Sequence, residues 1–164
     1  MHKRLLIVFV LGFSSGLPLA LISSTLQAWF ADSGMSIFAT GMLSLISLPY
    51  LYRIIWAPIL DRYTLLRIGK RRSWILVMQI CLVIGFNLMA WPTPTQTPLF
   101  IAFLAAAMAT CSATQDLAID AHRTEFLSTE ELGLGASLAT LGYRLALLVA
   151  GGVALIIAQY AGWS

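Results

Sequence analysis

Residues 5–52 read LLIVFVLGFSSGLPLALISSTLQAWFADSGMSIFATGMLSLISLPYLY, with no lysine or arginine anywhere in the run. A helix that crosses a bilayer needs about 20 apolar residues, so this stretch holds two crossings and a short turn between them. The remainder has the same character. Of 164 residues, 59% are hydrophobic and 10% charged, whereas a soluble domain is about 45–50% apolar and about 25% charged. Mean hydropathy is +0.86. Too few charges remain to cover a water-exposed surface, which excludes a soluble enzyme, a disordered tail and a nucleic-acid binder. The chain reads as an all-α integral membrane protein whose first partner is the lipid bilayer.

Working outward, five apolar segments predict five transmembrane helices, over 5–30, 37–59, 74–91, 99–121 and 133–160. Barrel strands are excluded because they alternate polar and apolar at every second residue. Lys3, Arg4, Arg62, Arg67, Lys70, Arg71, Arg72 and Arg123 lie at the N-terminus or in the second and fourth connections, and the first and third connections carry no basic residue. The positive-inside rule then places the N-terminus in the cytoplasm and residues 162–164 outside. Trp29, Trp56, Trp74, Trp91 and Trp163 fall near helix ends, as interfacial belts require. Met1–Arg4 before an apolar run resembles a signal peptide, but the run continues to Phe30 and residues 12–16 offer only a weak cleavage site, so a retained helix is expected. Cys81 and Cys111 lie mid-helix and are expected to be buried, reduced and silent. No metal-ligand cluster, phosphate loop or nucleophile elbow occurs, so no metal or cofactor is expected.

Four ionisable residues fall at membrane depth, where charge is expensive and usually functional: Arg53, Asp116, Asp120 and Arg144. Asp116 and Asp120, spaced i and i+4, share a helix face with Ala105, Ala109, Ser112 and Ala113. Small residues grading into carboxylates describe a face that looks into a tight or wet interior. Asp120 can equally be an interfacial carboxylate paired with Arg123. Arg144 stands about 16 Å into the fifth helix by helical rise, near the midplane, and must meet a carboxylate, a carbonyl or water. Arg53 can snorkel or pair with Asp116. A structural ion pair and a substrate anion are both open for the two arginines.

The first helix carries Ser14-Ser15-Gly16-Leu17-Pro18, where Pro18 removes a backbone hydrogen bond. A break there, with Ser23, Ser24, Thr25 and Gln27 continuing the polarity, points to a polar pathway. Helix packing explains Gly12 and Gly16 equally well. The second connection runs from Asp61-Arg62 to Gly69-Lys70-Arg71-Arg72. Its basic run can be topology signal and anionic-lipid contact alone, whereas Asp61 can brace a neighbouring helix end or a basic side chain.

That connection resembles the signature loop of the major facilitator superfamily, here with residues 64–68 between its two parts. Within that superfamily the chain resembles the AmpG-type muropeptide transporters. The resemblance rests on Gly12-Phe13-Ser14-Ser15-Gly16-Leu17-Pro18-Leu19-Ala20-Leu21, Thr25-Leu26-Gln27-Ala28-Trp29, Trp56-Ala57-Pro58-Ile59-Leu60-Asp61-Arg62-Tyr63-Thr64, Cys111-Ser112-Ala113-Thr114-Gln115-Asp116 with Asp120-Ala121, and Leu141-Gly142-Tyr143-Arg144-Leu145. These blocks occur in order across nearly the whole chain. The resemblance implies a proton-driven permease of the bacterial inner membrane that imports 1,6-anhydromuropeptides for cell-wall recycling. Where a β-lactamase is inducible, that flux also feeds the induction signal. It further implies two six-helix halves rocking about a central site lined by helices one and four. Five spans make an incomplete N-terminal half, so a fragment or truncated product is expected, with the C-terminal half as its missing partner.

On this basis Asp116 and Asp120 are the candidates for proton coupling, since a carboxylate that passes between wet and dry surroundings takes up and releases a proton. Ser15, Gly16, Pro18, Gln27, Arg53, Gln115 and Arg144 are the candidate substrate path, with the arginines binding peptide carboxylates or holding Asp116 ionised. Asp61, Arg62, Gly69, Lys70, Arg71 and Arg72 are the candidate gating loop. Three rivals stand beside this reading. A membrane enzyme lacks support, because the paired carboxylates share one helix, no Gly-x-Gly-Asp occurs, and the upstream block of phospholipid headgroup transferases is missing. A transporter of another solute on the same scaffold, such as acetyl-CoA, and a non-transporting remnant complete the set.

Overall fold

The computed structural model describes residues 2–163; Met1 and Ser164, the outermost residues of the stretches read as cytoplasmic and outward-facing, lie outside them. Five helices are long and apolar enough to cross a membrane: α1 (Lys3–Asp32), α2 (Ile37–Arg62), α3 (Lys70–Met89), α4 (Pro98–Phe126) and α5 (Leu132–Tyr160). Among the described residues there is no strand. Helices outrun their apolar segments, α3 and α4 the furthest. Lys70, Arg71 and Arg72 are already helical at the start of α3, and α4 continues past Ala121 to Phe126. Hydropathy marks where a helix leaves lipid, while backbone hydrogen bonding carries it further into water.

The expected break in α1 is absent. Pro18 sits inside a regular helix that continues to Ala20, and the irregularity follows it as a π-helical turn over Leu21–Thr25 before the helix resumes at Leu26. Such turns open the i→i−4 ladder and free backbone carbonyls. Here the hydroxyl of Ser23 donates to the Leu19 carbonyl at 2.5 Å and that of Ser24 to the Ala20 carbonyl at 3.0 Å. The carbonyls of Leu19 and Ala20 beside the π turn thus find hydroxyl donors within the same helix.

Helix α2 is the least regular. Its α-helical pieces Ile37–Met42, Leu48–Tyr52 and Ala57–Arg62 alternate with 3₁₀ turns at Leu43–Ser47 and Arg53–Trp56. Prolines 49 and 58 stand at the second position of α-helical pieces, where the missing N–H costs least.

Close backbone approach fixes the pairings. A Cβ on Gly12 would collide with the Ala139 carbonyl oxygen, one on Gly16 would lie 2.6 Å from the Tyr143 oxygen, and one on Gly142 would lie 2.9 Å from the Phe13 nitrogen. These glycines let α1 and α5 lie backbone to backbone, the use of small residues expected between membrane helices. Gly85 of α3 likewise receives the Met108 side chain of α4, whose sulfur would be 2.8 Å from an added Cβ. Toward the outer end, Ile22, Leu26 and Phe30 of α1 pack with Ile46, Leu82, Ile101 and Met108. Leucines, isoleucines and valines cover the outside, as a helix bundle in lipid requires. Cys81 is among the exposed residues and Cys111 is half-buried, against the expectation that both are buried. Mid-helix position fixes depth in the bilayer but not which way a side chain turns.

Candidate functional site

A cavity of about 650 Å³ opens among α1, α2, α4 and α5. The small-residue stripe of α4 leads into it. Ala105, Ala109 and Ala113 are fully buried, and the same face ends in Asp116, 6% exposed. The Ser15 hydroxyl of α1 donates to Asp116 Oδ1. From α2, Arg53 reaches both carboxylates, with Nη1 3.7 Å from Asp116 Oδ2 and Nη2 3.9 Å from Asp120 Oδ2. Those lengths are ion pairs without direct hydrogen bonds. Asp120 is shared again, 3.3 Å from Arg123 Nη2. Charge therefore alternates along the cavity wall through Asp116, Arg53, Asp120 and Arg123. A charge removed from water is tolerable only when so paired, and two arginines balance two aspartates.

Residues outside the sequence-derived set complete the cavity. Tyr50 and Tyr143 line it with Ser23, Ser47 and Thr140. The Tyr50 hydroxyl donates to Ser112 Oγ at 2.6 Å, and Trp56 Nε1 donates to Thr114 Oγ1 at 3.1 Å. Tyr50, Arg53 and Trp56 recur every third residue, as do Ser47 and Tyr50. In a regular α-helix that spacing drifts around the axis, but the 3₁₀ turns of α2 hold it nearly on one face. A period of three in polar residues was the available signal, masked because the surrounding leucines and isoleucines read as an ordinary span.

Other expected path residues lie elsewhere. Gln115, one residue before Asp116, is buried and donates from Nε2 to Gln79 Oε1 at 3.0 Å; the same oxygen accepts from Ser14 at 3.2 Å. Gln79 lines a separate recess with Ile7, Leu11 and Arg72. One position rotates a helical side chain by about 100°, which turns Gln115 from the cavity toward α3. Gly16 is consumed by packing on Tyr143 and Ala146, and Pro18 lies within regular helix. Gln27 approaches Ser44 at 3.4 Å, outside the cavity lining. Arg144 is exposed on α5 in a shallow recess with Ser137 and Thr140. Among the described residues it forms no ion pair, so Arg53 and Arg123 rather than Arg144 face the carboxylates.

The connection between α2 and α3 forms a second cluster, at the end of the bundle that carries the N-terminus. Arg71 Nη2 lies 2.6 Å from Asp61 Oδ1 and 2.9 Å from Glu125 Oε1. One guanidinium thereby ties together the ends of α2, α3 and α4. Lys70 Nζ donates to the Asp61 carbonyl at 2.7 Å. Gly69 precedes α3 at φ +107°, a conformation that only glycine adopts cheaply. Arg62 lies over the Tyr63 ring at 5.9 Å, and Arg72 points into the recess with Ile7 and His122. Among the described residues no group of three or more histidine, cysteine or acidic side chains could hold a metal.

A family model described as "Acetyl-coenzyme A transporter 1" matches residues 4–97. The "Anhydromuropeptide permease" of Escherichia coli (strain K12) is 44% identical over 163 residues, covering 99% of this chain and 33% of that protein. An uncharacterized protein of Haemophilus influenzae is 40% identical over 161 residues, 98% of this chain and 38% of that protein. The "Putative transporter AmpG 4" of Rickettsia felis is 32% identical over 162 residues, 97% of this chain and 39% of that protein. The chain thus spans 33–39% of the length of these relatives.

Proposed function

The chain belongs to the family described as acetyl-coenzyme A transporter 1, and from that premise we propose that it forms the N-terminal part of a secondary transporter. The transporter imports 1,6-anhydromuropeptides from periplasm to cytosol by proton-coupled alternating access across a bacterial inner membrane. The observation that carries this is Arg53 held between Asp116 and Asp120 in a cavity bounded by four helices. An anion entering the cavity competes for the guanidinium, and a carboxylate that loses its cation in a low-dielectric site takes up a proton instead. Substrate binding and protonation are then linked at one side chain. The eight basic residues clustered at one end of the bundle support a cytoplasmic N-terminus. The names of the relatives, a permease and a transporter, support transport rather than chemistry on the solute.

The test is uptake of labelled anhydromuropeptide by membrane vesicles that contain the complete protein. Asp116→Asn is expected to abolish uptake while membrane insertion persists, and unchanged uptake removes Asp116 from the mechanism. The description of the matching family favours a second reading, acetyl-CoA as solute on the same scaffold. Uptake of labelled anhydromuropeptide that excess acetyl-CoA leaves unchanged supports the first reading, and uptake of labelled acetyl-CoA that excess anhydromuropeptide leaves unchanged supports the second. An antibody to residues 60–73 separates both from a non-transporting remnant. A native band above twice 17.9 kDa supports a permease, and a band at that mass supports a remnant.

A further inference from the structure

The cavity is polar in two different ways along its length. Ser15 and Asp116 touch near its middle. Ser23 lies eight residues further along α1, about 12 Å toward the outer end by helical rise, and Arg123 lies seven residues further along α4, about 10 Å the other way. The outer third presents the hydroxyls of Ser23 and Ser47, with no charged lining residue. The middle presents the rings of Tyr50 and Tyr143 beside the Arg53–Asp116 pair. The far end holds Asp120 and Arg123.

The two arginines are not equivalent. Arg53 stands between two carboxylates. Among the described residues Arg123 pairs with Asp120 alone, at 3.3 Å, and Asp120 is itself divided with Arg53. The next cation beyond them, Arg71, is closed by Asp61 at 2.6 Å and Glu125 at 2.9 Å. Of the two arginines lining the cavity, Arg123 is therefore the less compensated, and its planar fork suits a carboxylate held by two hydrogen bonds.

We infer that Arg123 receives the carboxylates of the transported peptide while Tyr50 and Tyr143 face its sugars, so that the substrate lies along the cavity with its anionic end toward the N-terminal end of the bundle. This rests on the permease reading above and extends it to a residue and an orientation. Sugar rings place C–H faces on apolar aromatic surface and hydroxyls toward Ser23 and Ser47. The peptide carboxylates then displace Asp120 from Arg123, and Asp120 in turn draws Arg53 from Asp116, which stays anchored by Ser15. The two aspartates thus divide their tasks: Asp120 yields to the substrate, and Asp116 keeps its place.

The experiment compares uptake of two ligands by the full-length protein in proteoliposomes, the anhydrodisaccharide bearing its peptide and the same disaccharide without it. Wild-type protein is expected to prefer the peptide-bearing ligand. Arg123→Gln is expected to raise KM for that ligand about ten- to a hundredfold, the worth of a charge-assisted hydrogen-bonded pair, and to raise it far less for the peptide-free disaccharide. Tyr143→Leu is expected to weaken both ligands alike. Should Arg123→Gln fail to insert, Arg123→Lys keeps the charge but not the fork, and a smaller loss confined to the peptide-bearing ligand is expected. An arginine variant that affects both ligands equally, or neither, overturns the inference while the permease reading stands. Wild-type protein that imports neither ligand overturns both.

Discussion

Ser15 on α1 donates its hydroxyl to the carboxylate of Asp116 on α4, a buried contact between residues 101 positions apart. With Arg53 from α2 it fixes where the carboxylate points. Hydrogen bonds to charged groups are worth about 1.5–3 kcal/mol. Ser15→Ala is accordingly expected to lower anhydromuropeptide uptake by the full-length protein about tenfold or more, and Ser15→Thr to retain most of it. Vesicle uptake rates check this. An alanine variant at wild-type rate shows that Arg53 alone suffices to position Asp116.

The α1–α5 seam predicts a stability effect. Gly142→Val drives a branched side chain into the backbone of Phe9 and Phe13, and overpacking of this kind costs about 1–3 kcal/mol. The Tm of the detergent-solubilised protein is expected to fall by several degrees. Gly152 on the same helix has nothing within 4 Å of an added Cβ, so Gly152→Ala is the control, with no fall expected. Equal shifts for the two variants remove the seam as a determinant of stability.

Arg71 bridges Asp61 and Glu125 with little exposure of its own, 15% of its side chain. Both acidic partners are more than half exposed, so solvent screens each pair and neither alone is worth more than about 1 kcal/mol. The effect appears as coupling. In a double-mutant cycle on thermal stability, Asp61→Asn and Glu125→Gln are expected to be non-additive, because removing the first leaves Arg71 a carboxylate and removing both leaves none. Strict additivity shows that the bridge does not join the helix ends.

Arg144 is exposed on α5 at membrane depth. A lone arginine there costs at least about 2.5–3.5 kcal/mol on insertion scales. Expressed as 164 residues, the chain is expected to insert α5 more efficiently as Arg144→Leu, read by glycosylation-site mapping. Equal insertion of both forms shows that water or lipid headgroups already satisfy Arg144.

Much of this was legible residue by residue. The run from Leu5 to Tyr52 announces a membrane protein, because transfer into lipid is a sum over side chains and needs no knowledge of their neighbours. The i, i+4 pair Asp116 and Asp120 announces one polar face of α4, because both sit on a helix of regular pitch. Asp61 as a brace was legible for the same reason: a carboxylate at a helix end has few places to go.

Partner choice was legible only as a set of options: Arg53 with Asp116 and Asp120 with Arg123 were among them, but not which arginine would turn away. Arg53 and Arg144 have the same chemistry and similar depth, yet one meets both carboxylates and the other turns outward. Gln115 adjoins Asp116 in sequence but bonds to Gln79 on the opposite flank of α4. Those outcomes depend on the rotational phase of each helix: the two 3₁₀ turns of α2 set it for Arg53, while α4 and α5 keep regular pitch and take their phase from the helices they pack against. Hydropathy sums are blind to such turns, because a change of pitch leaves depth and composition nearly unaltered while swinging a side chain from one neighbour to another. The sequence by itself determined that charge would be buried in this bundle; only the packing of four helices decided which charges would meet.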